Sequence, residues 1–256
     1  MQNEKRKIIN LFNQFLDLIF PKKCFSCGQG GEFLCGRCFN SLDFPEIRCF
    51  ACRKAGAGFC VQCASFFNLE NLRVFWAADY RNPAIKKMIR TFKYRQANAL
   101  TEILGEILNQ RARKFLIQNS SGAFLNRACG AIGRNYEVIS NPLIIPVPLT
   151  AKKQRKRGFN QAALLGRYLG EKNGLAFDPA ILLKIKNTAS QVKTARRKER
   201  LENLKESFIV SDSRKIQGKT VILIDDVLTT GATIMECARV LQKAGVEKII
   251  ALVVAR

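Results

Sequence analysis

Apolar residues recur at two different periods along this chain, and the switching between them predicts a series of strands and helices. Ile8, Leu11, Phe12, Phe15, Leu16 and Ile19 fall at helical spacing between Lys5 and Phe20, and Pro21 ends the run. That predicts an amphipathic helix over residues 1–20 with a basic N-terminal flank, suited to packing on protein or to lying on a membrane surface. Leu72 to Asp79 reads as a strand, and Asn82-Pro83 opens a helix whose apolar face holds Ile85, Met88 and Ile89. A longer helix is expected from about Asn98 to Leu116. Gln118 to Pro142 is rich in Asn, Ser and Gly without a clear period, which predicts an insertion or a mobile connection. Leu143 to Val147 and Leu182 to Ile185 are short apolar strands, and a helix opens at Gly158-Phe159-Asn160-Gln161 between them. Leu201 to Glu206 is helix-like, and Val246 to Val254 reads as a closing strand. Strands alternating with helices from about Leu69 to Arg256 predict an α/β domain on a parallel sheet.

The most informative stretch is Val221 to Thr233, VILIDDVLTTGAT. Val221, Ile222, Leu223 and Ile224 have the composition of a strand buried on both faces, and Asp225 and Asp226 follow at its carboxyl end. Val227, Leu228, Thr229, Thr230, Gly231, Ala232 and Thr233 then lead into a helix carrying Met235, Ala238, Val240 and Leu241. Hydroxyls and free amides gathered at a helix N-terminus suit a phosphate, and the two acids suit sugar hydroxyls or a hydrated magnesium ion. Four hydrophobics, two acids, two residues and T-T-G-x-T resembles the 5-phosphoribosyl-1-pyrophosphate (PRPP) signature of type I phosphoribosyltransferases. In that family the acids bind the ribose and the loop holds the 5′-phosphate. A nucleotide triphosphatase would need a G-x-x-x-x-G-K-[ST] loop, and the one approach to it, ending at Gly218-Lys219-Thr220, has Ser213 where the first glycine belongs.

Eight of the ten cysteines form four C-x-x-C pairs: Cys24/Cys27, Cys35/Cys38, Cys49/Cys52 and Cys60/Cys63. A shift of 25 positions carries the first four onto the second four, so the segment is an internal repeat. A repeated unit should hold a complete site, which assigns Cys24, Cys27, Cys35 and Cys38 to one structural zinc and Cys49, Cys52, Cys60 and Cys63 to another. A cross-braced pairing is the alternative. Disulfides are disfavoured by the absence of an export signal, and Cys129 and Cys237 read as ordinary small residues. The expected organisation is an amphipathic helix over residues 1–20, a double zinc ribbon over 21–66 and a phosphoribosyltransferase-like domain over 67–256.

Composition adds charge. There are 43 Lys and Arg against 20 Asp and Glu, a net +23, which two thiolate-bound zinc ions would lower only to about +19. Such a balance attracts polyanions, single-stranded DNA among them. The cation run Lys152, Lys153, Arg155, Lys156 and Arg157 follows the Leu143 to Val147 strand and is a candidate nucleic-acid contact or a solvated loop. Phe159 beside Arg157, and Tyr94 beside Lys93 and Arg95, could stack bases or belong to the core. The chain has no histidine, which excludes Cys-His and Ser-His nucleophiles and mixed Cys/His metal sites. No apolar run reaches the length of a membrane span, and a cytoplasmic location follows, with peripheral contact at the inner membrane open to the N-terminal helix.

IRTFKY at Ile89 to Tyr94, PVPLT and RGFNQ between Pro146 and Gln161, SQ followed by RRKERLENLKESF between Ser190 and Phe208, and the PRPP stretch occur in order behind the cysteine pairs. Together they resemble the ComF family, the competence protein F and GntX group of phosphoribosyltransferase-like proteins. The resemblance implies a type I phosphoribosyltransferase fold and a link to natural transformation, with a DNA-uptake helicase or membrane channel as partner. It also implies a pyrophosphate loop near Val147, Pro148, Leu149 and Thr150 and a flexible loop from Thr188 to Arg200. Arg196, Arg197 and Arg200 in that loop become candidates for the pyrophosphate, with magnesium accompanying PRPP. Thr150 stands where family members often have histidine, and Gln191 to Arg196 lacks the usual Gly-Leu-Ser. Two functions stay open: a phosphoribosyltransferase, or a non-catalytic PRPP or nucleotide sensor that binds DNA.

Overall fold

A computed structural model describes residues 22–56, 58–94, 97–118, 124–127, 136–139, 141–186 and 206–256. The helix expected over residues 1–20 and the segment holding Arg196, Arg197, Arg200 and Leu201 lie outside them.

The chain opens with the cysteine repeat, where α1 (Gly36–Asn40) and α2 (Val61–Phe66) each follow the third cysteine of a set. Then come β1 (Leu72–Ala78), α3 (Pro83–Phe92) and α4 (Ala97–Phe115). Asn82 caps α3, its side-chain oxygen accepting from the amides of Ala84 and Ile85, and Pro83 sits at the first helical position where its missing N–H costs nothing. Next are β2 (Leu116–Gln118), β3 (Phe124–Arg127) and β4 (Tyr136–Ile139), paired as an antiparallel meander. Two of these strands fall within Gln118 to Pro142, where the sequence shows no period: strands of three or four residues are too short for alternation to register.

The second half runs β5 (Leu143–Pro146), α5 (Ala151–Arg157), α6 (Gln161–Asn173), β6 (Ala176–Phe177), β7 (Leu182–Lys184), β8 (Phe208–Val210), β9 (Thr220–Val227), α7 (Ala232–Lys243) and β10 (Lys248–Ala255). The main sheet has the order β1-β10-β9-β5-β6, parallel throughout. Ile249 to Ala255 and Val221 to Ile224 are buried without alternation because helices cover a parallel sheet on both faces. α6 lies close over β5 and β6, where Gly166 and Gly170 leave room for Ile144 and Phe177. The strand expected at Leu182 to Ile185 is not part of this sheet; it pairs antiparallel with β8. The cation run is not a loop either. Thr150 accepts from the Lys153 amide and starts α5, which Gly158 ends in the left-handed conformation.

Candidate functional site

Parallel pairing of β5 with β9 sets Pro146 opposite Ile224, so the chain leaving β5 and the acids ending β9 emerge side by side. The Val147 amide bonds the Ile224 carbonyl at 2.8 Å, and the Asn160 side chain bonds the Val147 carbonyl at 3.0 Å. Val147 to Thr150 is thereby held against the end of β9. The Asp226 amide donates to Asp225 Oδ1 at 2.8 Å, and Asp226 Oδ2 pairs with Lys93 Nζ at 3.0 Å. Both partners of that pair are largely shielded from water, with side chains 24% and 15% exposed. Lys93 comes from the turn after α3, which carries it to the sheet's carboxyl edge.

Burial, reinforced by the Asp226 charge, pushes the Asp225 carboxyl up to about 7, against the pull of the Asp226 amide, Lys93 and Lys184. Burial and the Lys153 charge hold Lys184 below the usual lysine range, and burial with Arg157 and Lys93 does the same for Lys153. Positive charge from three separate elements thus gathers near the end of β9: Lys93 and Lys184 act on Asp225, and Lys153 acts on Lys184. Sequence reading placed Lys153 with the DNA candidates and missed Lys93 and Lys184 as members of this group. Lys93 lay inside the IRTFKY landmark, and nothing local to β7 marks Lys184.

After β9 the chain turns through Thr229, exposed, and Thr230, whose Oγ1 accepts from the Ala232 amide at 3.4 Å. Gly231 caps α7 with φ of +79°, a conformation that favours glycine, and a side chain there would run into the ring of Phe50. The first amides of α7 thus face the turn at the positive end of a twelve-residue helix. Of the cation run, Lys152, Arg155 and Lys156 are exposed, whereas Arg157 donates to Gln161 at 2.9 Å and lies 6.0 Å from the Tyr94 ring.

The eight cysteines of the repeat gather as two consecutive sets, Cys24, Cys27, Cys35, Cys38 and Cys49, Cys52, Cys60, Cys63, each with its sulfurs within 4.8 Å of one another. Zinc at about 2.3 Å from four thiolates sets the sulfurs roughly 3.8 Å apart. Cys27 and Cys35 are 3.7 Å apart and Cys52 and Cys60 are 3.5 Å apart, so both sets fit structural zinc. The backbone repeats with the sequence: Cys24 and Cys49 donate to Gln29 and Lys54, and Gly28 and Arg53 donate to Cys24 and Cys49. Burial raises the Cys24 and Cys49 thiols, yet backbone amides outweigh it and hold each at about 6. In the same sets, against a Ser26 hydrogen bond that lowers it, the neighbouring thiols and burial push Cys38 up to about 11, and burial with the neighbouring thiols raises Cys63.

The second set is joined to the sheet. Phe50, next to Cys49, packs on Gly231; Arg256 at the end of β10 donates to the Phe50 carbonyl at 3.3 Å; and Gly58 lies against the Val74 carbonyl of β1. Among the described residues, no helix is long and apolar enough to cross a membrane.

The phosphoribosyl transferase domain family matches residues 169–256, which hold β9, the two acids and the turn. Competence protein F of Haemophilus influenzae is 35% identical over 147 residues, 56% of this chain and 64% of that protein. DNA utilization protein YhgH of Salmonella typhimurium is 28% identical over 173 residues, 68% of this chain and 67% of that protein. Competence protein ComFC of Bacillus subtilis is 36% identical over 103 residues, 40% of this chain and 39% of that protein. The match thus spans less than two thirds of competence protein F. With a parallel sheet of phosphoribosyl transferase type behind two four-cysteine sets, the chain is similar to competence protein F, ComFC and YhgH.

Proposed function

We propose that the crevice at the carboxyl ends of β5 and β9 binds PRPP. One observation carries this reading: Asp225 and Asp226 end β9 just before a glycine-capped helix start, with Lys93 paired to Asp226 and Lys184 acting on Asp225. Carboxylates accept from ribose hydroxyls, Thr229 to Thr233 offer amides and hydroxyls to the 5′-phosphate, and the lysines with Val147 to Thr150 face the pyrophosphate. Arg196, Arg197 and Arg200 belong to the same proposal.

The reaction such a crevice supports is displacement of pyrophosphate from the ribose C1 through an oxocarbenium-like transition state. Magnesium bound with PRPP would neutralise the leaving oxygens. The protein's share is to fix the ribose through Asp226, itself oriented by Lys93, and to concentrate positive charge where the leaving group departs. Pyrophosphate release from PRPP, measured across a panel of nucleobases, separates an enzyme from a sensor: release with one base marks a transferase, and binding without release marks a sensor.

The exposed cations of α5 and the net +23 support contact with single-stranded DNA as part of the same reading. The relatives' names, competence protein and DNA utilization protein, support a place in DNA uptake on the cytoplasmic side, beside a helicase or channel. Fluorescence anisotropy with labelled single strands at increasing salt tests it: affinity should fall steeply, and a flat response would remove DNA from the proposal.

A further inference from the structure

We infer that the cleft between the second cysteine set and the carboxyl edge of the sheet is a nucleotide site, distinct from the acid crevice and walled on one side by the loop of Cys49 and Cys52. Its volume is about 640 Å³, inside the roughly 300–1,000 Å³ range of small-molecule sites. One wall carries Arg48 and Arg53, which flank the ligands Cys49 and Cys52. The other carries Arg81 and Arg256 with Trp76 and Tyr80, and Thr229 of the phosphate turn lies at the boundary with the acid crevice.

Charge and shape point to an anion joined to a flat ring. Four guanidinium groups meet two carboxylates here, leaving the lining net positive. Glu46 takes Arg48 at 2.9 Å and Asp79 takes Arg81 at 2.6 Å, and each carboxylate occupies only part of a five-donor fork. Guanidinium forks recognise phosphate. Trp76 is only 3% exposed and the Arg256 guanidinium lies over its ring, its carbon 5.0 Å from the centroid, so the surface offered to the cleft is the guanidinium backed by indole, beside Tyr80. A base stacks on such surfaces irrespective of its identity.

The repeat supplies an independent argument. Arg53 is the counterpart of Gly28, and both adopt the left-handed backbone, with φ of +70° and +78°. Glycine adopts it freely, whereas an arginine there is strained, and strain in a backbone marks positions where the side chain is used. In the second unit that arginine lines the cleft.

Trp76 is the chain's one tryptophan, so its emission reports on this cleft. The zinc-loaded full chain is titrated with adenosine and uridine 5′-monophosphates and, separately, with a short oligothymidylate, following tryptophan fluorescence. A saturable change is expected, with affinity at least tenfold weaker in Arg53→Glu/Arg81→Glu and retained in Asp226→Asn. A response to mononucleotides assigns a free nucleotide; a response to the strand alone assigns a nucleotide within single-stranded DNA. Metal content and circular dichroism matching wild type establish that the double variant is folded. No change with any probe, or equal affinity in the double variant, would overturn the inference. PRPP binding by calorimetry is scored separately, so a failed acid crevice and a failed cleft give different results.

Discussion

The two cysteine units share ligand spacing, backbone hydrogen bonds and glycine-type turns, yet they meet different parts of the protein: the first lies against α3 and the second against β1, β10 and the start of α7. Where the first unit has Phe33, the second has Gly58, which lets its backbone press on β1; where the first has Gly28, the second has Arg53. Phe25 of the first unit stacks on Phe33 and lies beneath Lys87, 4.9 Å from its ring, whereas the corresponding Phe50 seals Gly231 at the start of α7. A duplicated cysteine scaffold has thus diverged by position: one copy packs beside α3, the other closes the turn before α7 and lines a cleft. The metal in the second unit would then matter for ligand binding, and the metal in the first mainly for local folding.

The widest gap between the copies should appear on losing a ligand. Cys49→Ser and Cys24→Ser should each release about one zinc per chain, since structural zinc contributes on the order of 10 kcal/mol to such a unit. PRPP affinity should fall at least tenfold in the first and stay within about twofold in the second. Equal losses, read by metal analysis and calorimetry, would erase the distinction. Gly58→Ala comes next. Its methyl would strike the Val74 carbonyl, an overpacking worth about 3 kcal/mol in chemical denaturation, whereas Gly30→Ala in the first unit meets open space and should be nearly silent. Gly231→Ala combines a left-handed backbone with the Phe50 ring, and a loss of about 2 kcal/mol with weakened PRPP binding is expected.

A smaller effect sharpens the comparison from the side neither unit touches. The Asp225 carboxyl is raised to about 7 from 3.8, so its contribution to stability is fully present below about pH 4 and is lost as pH rises through 7. Wild type should therefore lose more stability than Asp225→Asn between pH 5 and pH 8, by at most about 1.4 kcal/mol per unit. Parallel denaturation profiles would contradict the burial assigned to this group. The smallest change is expected from Lys152→Ala, which should lower the salt dependence of single-strand binding by about one unit without altering PRPP binding.

What the sequence made legible had a local cause. The apolar run into Asp225 and the C-x-x-C spacing each lie in a few consecutive residues, and the strand and the two consecutive cysteine sets are found as the pattern predicts. The meander of β2 to β4, the two-residue β6 and β8 are too short to impose a period, and for β7 the strand was legible but its antiparallel partner was not. Lys93 and Lys184 reach the acids only through tertiary contact, and 132 positions of chain separate Lys93 from Asp225. The pairing of Arg53 with Gly28 was visible in the repeat, but its sense depends on β1 and β10 lying opposite, which no spacing encodes. Lys152 to Arg157 kept its polarity and changed its form, from loop to helix, because Thr150 and Gly158 supply both caps.

The central claim is that Asp225 and Asp226 hold PRPP together with the turn capped by Gly231. Calorimetric titration of the full chain with PRPP and magnesium, in wild type and in Asp226→Asn, tests it most directly. One saturable site in wild type and a loss of at least tenfold in the variant is the predicted result. Identical isotherms, or no heat from wild type, would contradict the account.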